Sequence, residues 1–403
     1  MKKIAIVGGG LAGCSVARRL RELEFSGEVA VFGNEGILPY DRPPLSKSCL
    51  AGSIEDADLE IYPASFYDEK NVSVLADKPV RKIDPKNKLL VFEDGEEAYD
   101  ALVLATGARP KGLPPSLGSG MGGIHTLRTV SDARALAKAF ASARQVLIVG
   151  GGYIGLEVAA SAVRVGLNAT LIEAAPRILQ RVTGEPTSDY FRRLHTENGV
   201  RVLENTGLKG LFGEGHVQEV ELTNGDRLAV DCVVAGIGII PEVALAVDAG
   251  LNVDNGIVTN DFCQTSDPSI WAAGDCAAFP MGDCSLRLES VGNAIDMGER
   301  VAENIVGEPV AYRPKPWFWS DQYDTKLQIA GLATGYDDIF VRPGIKEASV
   351  SHWYYRGEQL IAVDVMNDPK TYMIAKRLID LGRSPEPQLI VDPSVNLKAL
   401  IRG

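Results

Sequence analysis

The sequence predicts an α/β fold of two Rossmann-like units followed by a C-terminal α+β domain, and three observations predict it. GGGLAGCSV begins at Gly8, and GGGYIGLEV repeats the same glycine spacing from Gly150. Each copy lies between a short apolar run and a stretch with the i, i+3, i+4 apolar spacing of a helix. After Pro314 the chain changes to Trp- and Tyr-rich segments whose side chains alternate in polarity, as half-buried strands do.

Taken in order, KIAIV at 3–7 reads as a strand, 8–13 as a loop, Leu11 to Leu23 as a helix and Glu28 to Phe32 as a second strand. The same series returns as VLIV at 146–149, a glycine loop, a helix through about Val165 and NATLIE at 168–173. DALVLATG at 100–107, DCVVAGIG at 231–238 and SIWAAGD at 269–275 read as further buried parallel strands. These runs end in Gly, Thr or Asp, and in open α/β sheets ligands sit beyond the carboxyl ends of the strands. Toward the C-terminus, LQIAGL, IFVRP and a hairpin turning near Arg356-Gly357 precede an amphipathic helix from about Lys370 to Leu381.

Composition narrows the function classes. The 403 residues carry six cysteines with no C-x-x-C pair, which fits a reducing, cytoplasmic setting and argues against a disulfide framework, structural zinc or an iron–sulfur cluster. No apolar run approaches the roughly 18 to 20 residues that cross a bilayer. MKK followed by an apolar stretch and Leu11-Ala12-Gly13-Cys14 imitates a lipoprotein signal. Cleavage there would remove a strand and its loop, and three consecutive glycines make a poor signal core, so no targeting segment is expected. The formal charge of −12 disfavours nucleic acid and anionic membrane as partners. Residues 315–403 are neutral, with 11 Lys plus Arg against 11 Asp plus Glu, so a less acidic face is available to an acidic partner.

The glycine spacing has a physical reading. In Gly8-x-Gly10-x-x-Gly13 the first glycine permits a tight turn, the second lets the backbone approach a pyrophosphate, and the third brings helix and strand together. The helix N-terminus then faces the phosphate charge. Gly150, Gly152 and Gly155 repeat the pattern. An acid about 20 residues on should take the ribose hydroxyls. Glu173 stands at the end of its strand, whereas Gly33 occupies the matching place in the first copy and Glu35 is the nearest candidate. A carboxylate at Glu173 accepts a free 2′-hydroxyl and repels the 2′-phosphate of NADPH, which favours NADH, although Arg177 lies nearby. Two such sites on one chain suggest that one cofactor reduces the other, a bound flavin receiving hydride from NADH.

The residues resemble a family, the FAD-dependent, NADH-using ferredoxin reductases of bacterial oxygenase systems, over nearly the whole chain. The signatures are YDRPPLSK at 40–47, LATGARP at 104–110, LRT at 127–129, GGGYIGLEVAA at 150–160, AAGDC at 272–276, RLESVGNA at 287–294 and PWFWSDQ at 316–322. The resemblance implies a glutathione reductase-like architecture, with an FAD domain at 1–112 and 241–314, an NAD domain at 113–240 and the C-terminal domain at 315–403. It implies FAD contacts by Gly8, Gly10, Gly13, Glu35, Arg42, Lys47, Ala105, Thr106, Gly107, Arg128, Asp275 and Trp319. For NAD it implies Gly150, Gly152, Ile154, Gly155, Glu157, Glu173, Gly238 and Glu289. Lys47 would lie at the reactive edge of the flavin, paired with Glu157. Val291 is more like the branch that serves cytochrome P450 than the one that serves Rieske dioxygenases.

The expected activity is transfer of electrons from NADH through FAD to a 2Fe-2S ferredoxin, which supplies a P450 or Rieske-type oxygenase, by a monomer or weak dimer. A flavin disulfide reductase or peroxidase would need a redox cysteine at the flavin, and Cys49 is the only cysteine close in sequence to YDRPPLSK. A redox sensor holding FAD and NADH in a charge-transfer complex is the other alternative, because apoptosis-inducing factor has a similar YDRPPLSK-type loop.

Overall fold

The computed structural model describes residues 1–52, 56–118, 120–282, 284–346 and 348–402. The chain forms two compact units, one of Met1–Asp41, Glu55–Arg109 and Ile239–Pro316, the other of Arg42–Ile54, Pro110–Gly238 and Trp317–Gly403.

The first unit is built on a five-stranded parallel sheet in the order Ile270–Ala272, Ala101–Leu104, Lys3–Val7, Glu28–Phe32 and Val72–Leu75. A parallel sheet covered on both faces needs continuous apolar strands, and every residue of Ala101–Leu104 is fully buried. The Leu11–Glu22 helix packs on the Val291–Val306 helix. Gly298 allows the approach, since a Cβ there would stand 2.6 Å from the Ala12 carbonyl oxygen. Arg19 reaches Glu303 at 2.8 Å along the same seam.

In the second unit a parallel sheet runs Arg201–Leu203, Asn168–Ile172, Gln145–Val149, Cys232–Ala235 and Ile124–His125. The C-terminal segment adds an antiparallel sheet in the order Trp317–Gln322, Thr325–Gly331, Gln359–Met366, Val350–Arg356 and Asp338–Pro343. One apolar cluster joins the two, with Ile148, Leu156 and Leu171 alongside Leu327, Ile329 and Met366.

Element types agree with the sequence reading, while their bounds shift for local reasons. The first helix stops at Glu22, with Leu23 as its C-cap. The runs at 100–107, 231–238 and 269–275 are strand only over Ala101–Leu104, Cys232–Ala235 and Ile270–Ala272, and their last residues leave the sheet as loops at its carboxyl edge. The last amphipathic helix spans Pro369–Asp380, because the Asp368 side chain caps it at Thr371 N–H.

One charged group lies wholly inside the second unit. Oδ2 of Asp364 accepts from the Thr187 hydroxyl at 2.7 Å and from the Tyr354 hydroxyl, and Oδ1 has no partner among the described residues. Burial pushes this carboxyl up to about 6, only partly offset by those two donors. A carboxyl raised above its unfolded value stabilises the fold most below the unfolded pKa, and that contribution is lost as pH rises through the folded one. Thermal or chemical unfolding of wild type and Asp364→Asn should therefore diverge with pH. The wild type should lose roughly 2 to 3 kcal/mol relative to the variant between about pH 4 and pH 7.

Two glycine cradles and a buried lysine–glutamate pair

The two glycine loops are built alike, bond for bond. Gly8 N–H donates to the Phe32 carbonyl and Gly150 N–H to that of Ile172, both at 2.8 Å. Ala105 N–H reaches Val7, and Gly236 N–H reaches Val149, again at 2.8 Å. Gly8 and Gly150 have φ of 120° and 109°, left-handed values that favour glycine. A Cβ on Gly8 would lie 2.1 Å from the Ala105 carbonyl oxygen, and one on Gly150 2.4 Å from that of Gly236. Gly13 and Gly155 are closed in as tightly, their Cβ positions falling 2.1 and 2.0 Å from the carbonyl oxygens of Gly8 and Gly150. The middle glycines differ. A Cβ on Gly10 or Gly152 meets nothing within 4 Å, which is the open space a pyrophosphate needs beside bare backbone at a helix N-terminus. The residues present fit a dinucleotide in both units.

The copies diverge at the ribose position. Gly33 and Glu173 are equivalent, their N–H groups donating to Leu75 and Leu203 at 2.9 Å. Glu173 accepts from Gly151 N–H at 2.7 Å and Ala175 N–H at 2.8 Å, which fixes its carboxylate at the strand end. At Gly33 the Ala76 backbone comes within 3.1 Å of a Cβ position, a tight contact that a side chain would meet only with a small shift of the neighbour. Glu35, two residues later, accepts from the Tyr40 hydroxyl beside a small space also lined by Gly9 and Gly33. Arg177 is turned away from such work, donating to Ser188 Oγ and, at 2.8 Å, to the Thr183 carbonyl.

Thr106, Gly107 and Asp275, singled out in the first unit, follow the strands Ala101–Leu104 and Ile270–Ala272 at the carboxyl edge of its sheet. Thr106 Oγ1 donates to the Glu242 carbonyl at 2.5 Å, and Glu242 N–H donates to the Gly107 carbonyl at 2.9 Å. Asp275 lies in the turn Gly274–Cys276, its carbonyl accepting from Arg287 at 3.2 Å. Glu289 pairs with Arg287 at 2.7 Å and stays half-exposed, just before the Ser290 cap of the Val291–Val306 helix.

In the second unit, Arg42 donates to the Arg128 carbonyl at 2.8 Å and precedes the turn Pro43–Ser46. Proline fixes φ near the turn value, so Pro43 and Pro44 set the path of the chain into Ser46 and Lys47. Lys47 Nζ meets Glu157 Oε2 at 2.8 Å and the Pro43 carbonyl at 3.1 Å. Glu157 is 3 % exposed. Its carboxylate also accepts from Ser46 Oγ and, at 2.6 Å, from Ser320 Oγ. One helical turn on, Ser161 Oγ donates to the Ser46 carbonyl at 2.7 Å. Ile154, exposed in the first turn of the same helix, and Gly238, at φ 111°, complete the residues expected to serve NAD. Trp319 stacks on Trp317 at 5.6 Å.

Sequence reasoning missed Ser46, Ser320 and their neighbours Gln322 and His195. Strand alternation was the available signal: in PWFWSDQ, Phe318, Ser320 and Gln322 share the face opposite Trp317 and Trp319.

All six cysteines are free. Burial pushes the Cys14, Cys232 and Cys263 thiols up to about 12 and raises Cys49 and Cys276 as well, the reverse of an activated thiolate.

This arrangement of paired cradles agrees with what the chain matches. It belongs to the pyridine nucleotide-disulphide oxidoreductase family, whose pattern matches residues 2–298, and within it to the putidaredoxin reductase-like ferredoxin reductases. It is thus an oxidoreductase. Residues 317–401 match the reductase C-terminal family. The chain is 39% identical to putidaredoxin reductase of Pseudomonas putida over 99% of its own length and 96% of that protein's. Rhodocoxin reductase of Rhodococcus erythropolis is also 39% identical, over 99% and 94%. Among solved structures, the reductase in the covalent putidaredoxin reductase–putidaredoxin complex superposes with a TM-score of 0.94 at 38% identity, covering 100% of this chain and 98% of that one. The ferredoxin reductase for the CYP199A2 system of Rhodopseudomonas palustris gives 0.96 at 35%, with 99% of each chain covered.

The cradle geometry separates two kinds of glycine. Gly150→Ala should lose about 3 kcal/mol of stability or fail to fold, because a Cβ meets backbone at a left-handed φ. Gly152→Ala should fold with a melting temperature near wild type while dinucleotide affinity falls about tenfold or more, read by calorimetry, since its methyl occupies the phosphate path.

Proposed function

We propose that the protein is an NADH-dependent, FAD-containing reductase that passes electrons to a 2Fe-2S ferredoxin supplying a cytochrome P450 or Rieske-type oxygenase, and that it works in the cytoplasm as a monomer or weak dimer. The observation that carries this reading is the dinucleotide cradle built twice on one chain, with a strand-end carboxylate at only one copy. The relatives' names point the same way, being reductases of putidaredoxin, rhodocoxin and ferredoxin. Among the described residues, no helix is long and apolar enough to cross a membrane.

FAD, once bound, would supply an acceptor for the nicotinamide's electron pair that can hand electrons on singly. The protein's part is binding, orientation and charge. Gly8, Gly10 and Gly13 would admit the pyrophosphate of FAD, with Asp275 near the ribityl chain and Ala105, Thr106 and Gly107 along the flavin-side loop. Arg42 and Arg128 would answer phosphate charge, and Trp319 would lie along the pyrimidine side. Gly150, Gly152 and Gly155 would admit NADH, Glu173 would take its adenosine ribose, and Ile154, Gly238 and Glu289 would border the nicotinamide. Lys47 would hold its charge near the reacting ring, where it would favour a reduced, negatively charged form, and Glu157 at 2.8 Å would partly offset that effect. The chemical segments expected at 1–112 with 241–314, 113–240 and 315–403 are assigned to FAD, NAD and the C-terminal domain on this reading.

A disulfide-exchange mechanism is disfavoured by the raised thiols. Alkylating the accessible cysteines, Cys49 and Cys284, should leave ferredoxin reduction within about twofold of untreated enzyme; its abolition would favour the thiol reading.

Glu173→Ala should raise KM for NADH and narrow the NADH over NADPH preference by about tenfold or more in steady-state assays, because the carboxylate that repels a 2′-phosphate is gone. Charge reversal at Lys315 should slow ferredoxin reduction, more so at low salt, while ferricyanide reduction is unchanged. Arg313, also exposed, is the poorer probe, being held to Asp261 at 2.6 Å.

A further inference from the structure

Behind Glu157, a run of buried polar side chains within the second unit has no place in either nucleotide motif. Ser320 Oγ, 2.6 Å from Glu157, is followed by Gln322 Nε2 at 3.0 Å. Gln322 Oε1 meets His195 Nε2 at 2.7 Å, and His195 Nδ1 meets the Tyr323 hydroxyl at 3.1 Å. Ser320 and His195 are fully buried, Gln322 nearly so, and only Tyr323 is partly open to solvent.

The direction of every bond follows from one end. A carboxylate paired with an ammonium offers only lone pairs, so the Ser320 hydroxyl donates to Glu157. Its oxygen must then accept from the Gln322 amide, which turns the amide oxygen toward His195. His195 donates from Nε2 and keeps a bare lone pair at Nδ1, into which the Tyr323 hydroxyl donates. A charged imidazolium carries protons on both nitrogens and would reverse the last bond. Burial pushes His195 down to about 4, consistent with a neutral ring near neutral pH.

We propose that His195 is a positioning residue for the Lys47–Glu157 pair, acting through Gln322 and Ser320 to keep the Glu157 carboxylate turned to Lys47. Aligned donors polarise one another, and their combined dipole points its positive end at Glu157. Without the histidine, the Gln322 amide is free to turn over, Ser320 loses its orientation, and Lys47 is less compensated. The functional arm of this inference rests on the reading that the pair works at the flavin; the arrangement of the chain itself does not.

With four histidines in the sequence, ring-15N-labelled protein gives few enough signals to read His195 directly. The neutral Nε2–H tautomer is expected, and an Nδ1–H tautomer or a charged ring at pH about 7 would overturn the proposal. The midpoint potential of bound FAD should move to more positive values in His195→Leu and in Ser320→Ala. It should return toward wild type in His195→Gln, whose amide can donate from the Nε2 position. Unchanged potentials in folded, flavin-loaded His195→Leu and Ser320→Ala would overturn it too. If the leucine variant does not fold, Ser320→Ala, which removes one hydroxyl, decides the point. A protein that binds no flavin would contradict the reductase reading alone, and the ring tautomer would then decide the chain.

Discussion

The second unit is organised around a carboxylate that is almost out of water. Leaving a carboxylate buried without partners costs several kcal/mol, so Glu157 demands donors, and it draws them from two other stretches of chain. Lys47 and Ser46 come from the proline turn, and Ser320 comes from the first C-terminal strand. Ser161, a turn further along the helix of Glu157, pins the same proline turn by its backbone. Donors from the proline turn and from the C-terminal strand meet a carboxylate carried by the Tyr153–Arg164 helix, so their correct meeting reports that these three elements have assembled.

The glycine loops show the opposite strategy, in which function depends on atoms being absent. At the first and third positions of each motif, backbone carbonyls already fill the space a side chain would take, so glycine is demanded by the fold itself. At the middle position nothing crowds the residue, and glycine there leaves room for a ligand. The same duplication explains why the two sites part company at one residue. The first copy has Gly33 at the strand end, where the Ala76 backbone leaves little room, whereas the second copy has Glu173 with both oxygens tied to backbone amides.

Much of this was legible in the residues. Glycine spacing, apolar runs and the switch to aromatic alternation name both parallel sheets and the C-terminal sheet, because each depends on local periodicity. Lys47 and Glu157 were legible as a pair through the YDRPPLSK and GGGYIGLEV signatures, and their 2.8 Å contact bears that out. Strand ends were overread at 105–107 and 236–238, since apolar and small residues continue past the point where the backbone leaves the sheet. Ser320, Gln322 and His195 were not legible. Their bonds span up to 163 residues of chain, and no periodicity encodes which serine will face which carboxylate. The grouping of the 42–54 segment with 110–238 and 317–403 is likewise a tertiary fact.

The most direct test of the central claim is anaerobic stopped-flow absorbance, in which the purified protein is mixed with NADH or NADPH and then with a 2Fe-2S ferredoxin. The account predicts fast bleaching of bound flavin by NADH, little by NADPH, and prompt reoxidation by the ferredoxin. A colourless protein without flavin, or a lasting long-wavelength charge-transfer band that passes no electrons to ferredoxin, would contradict it.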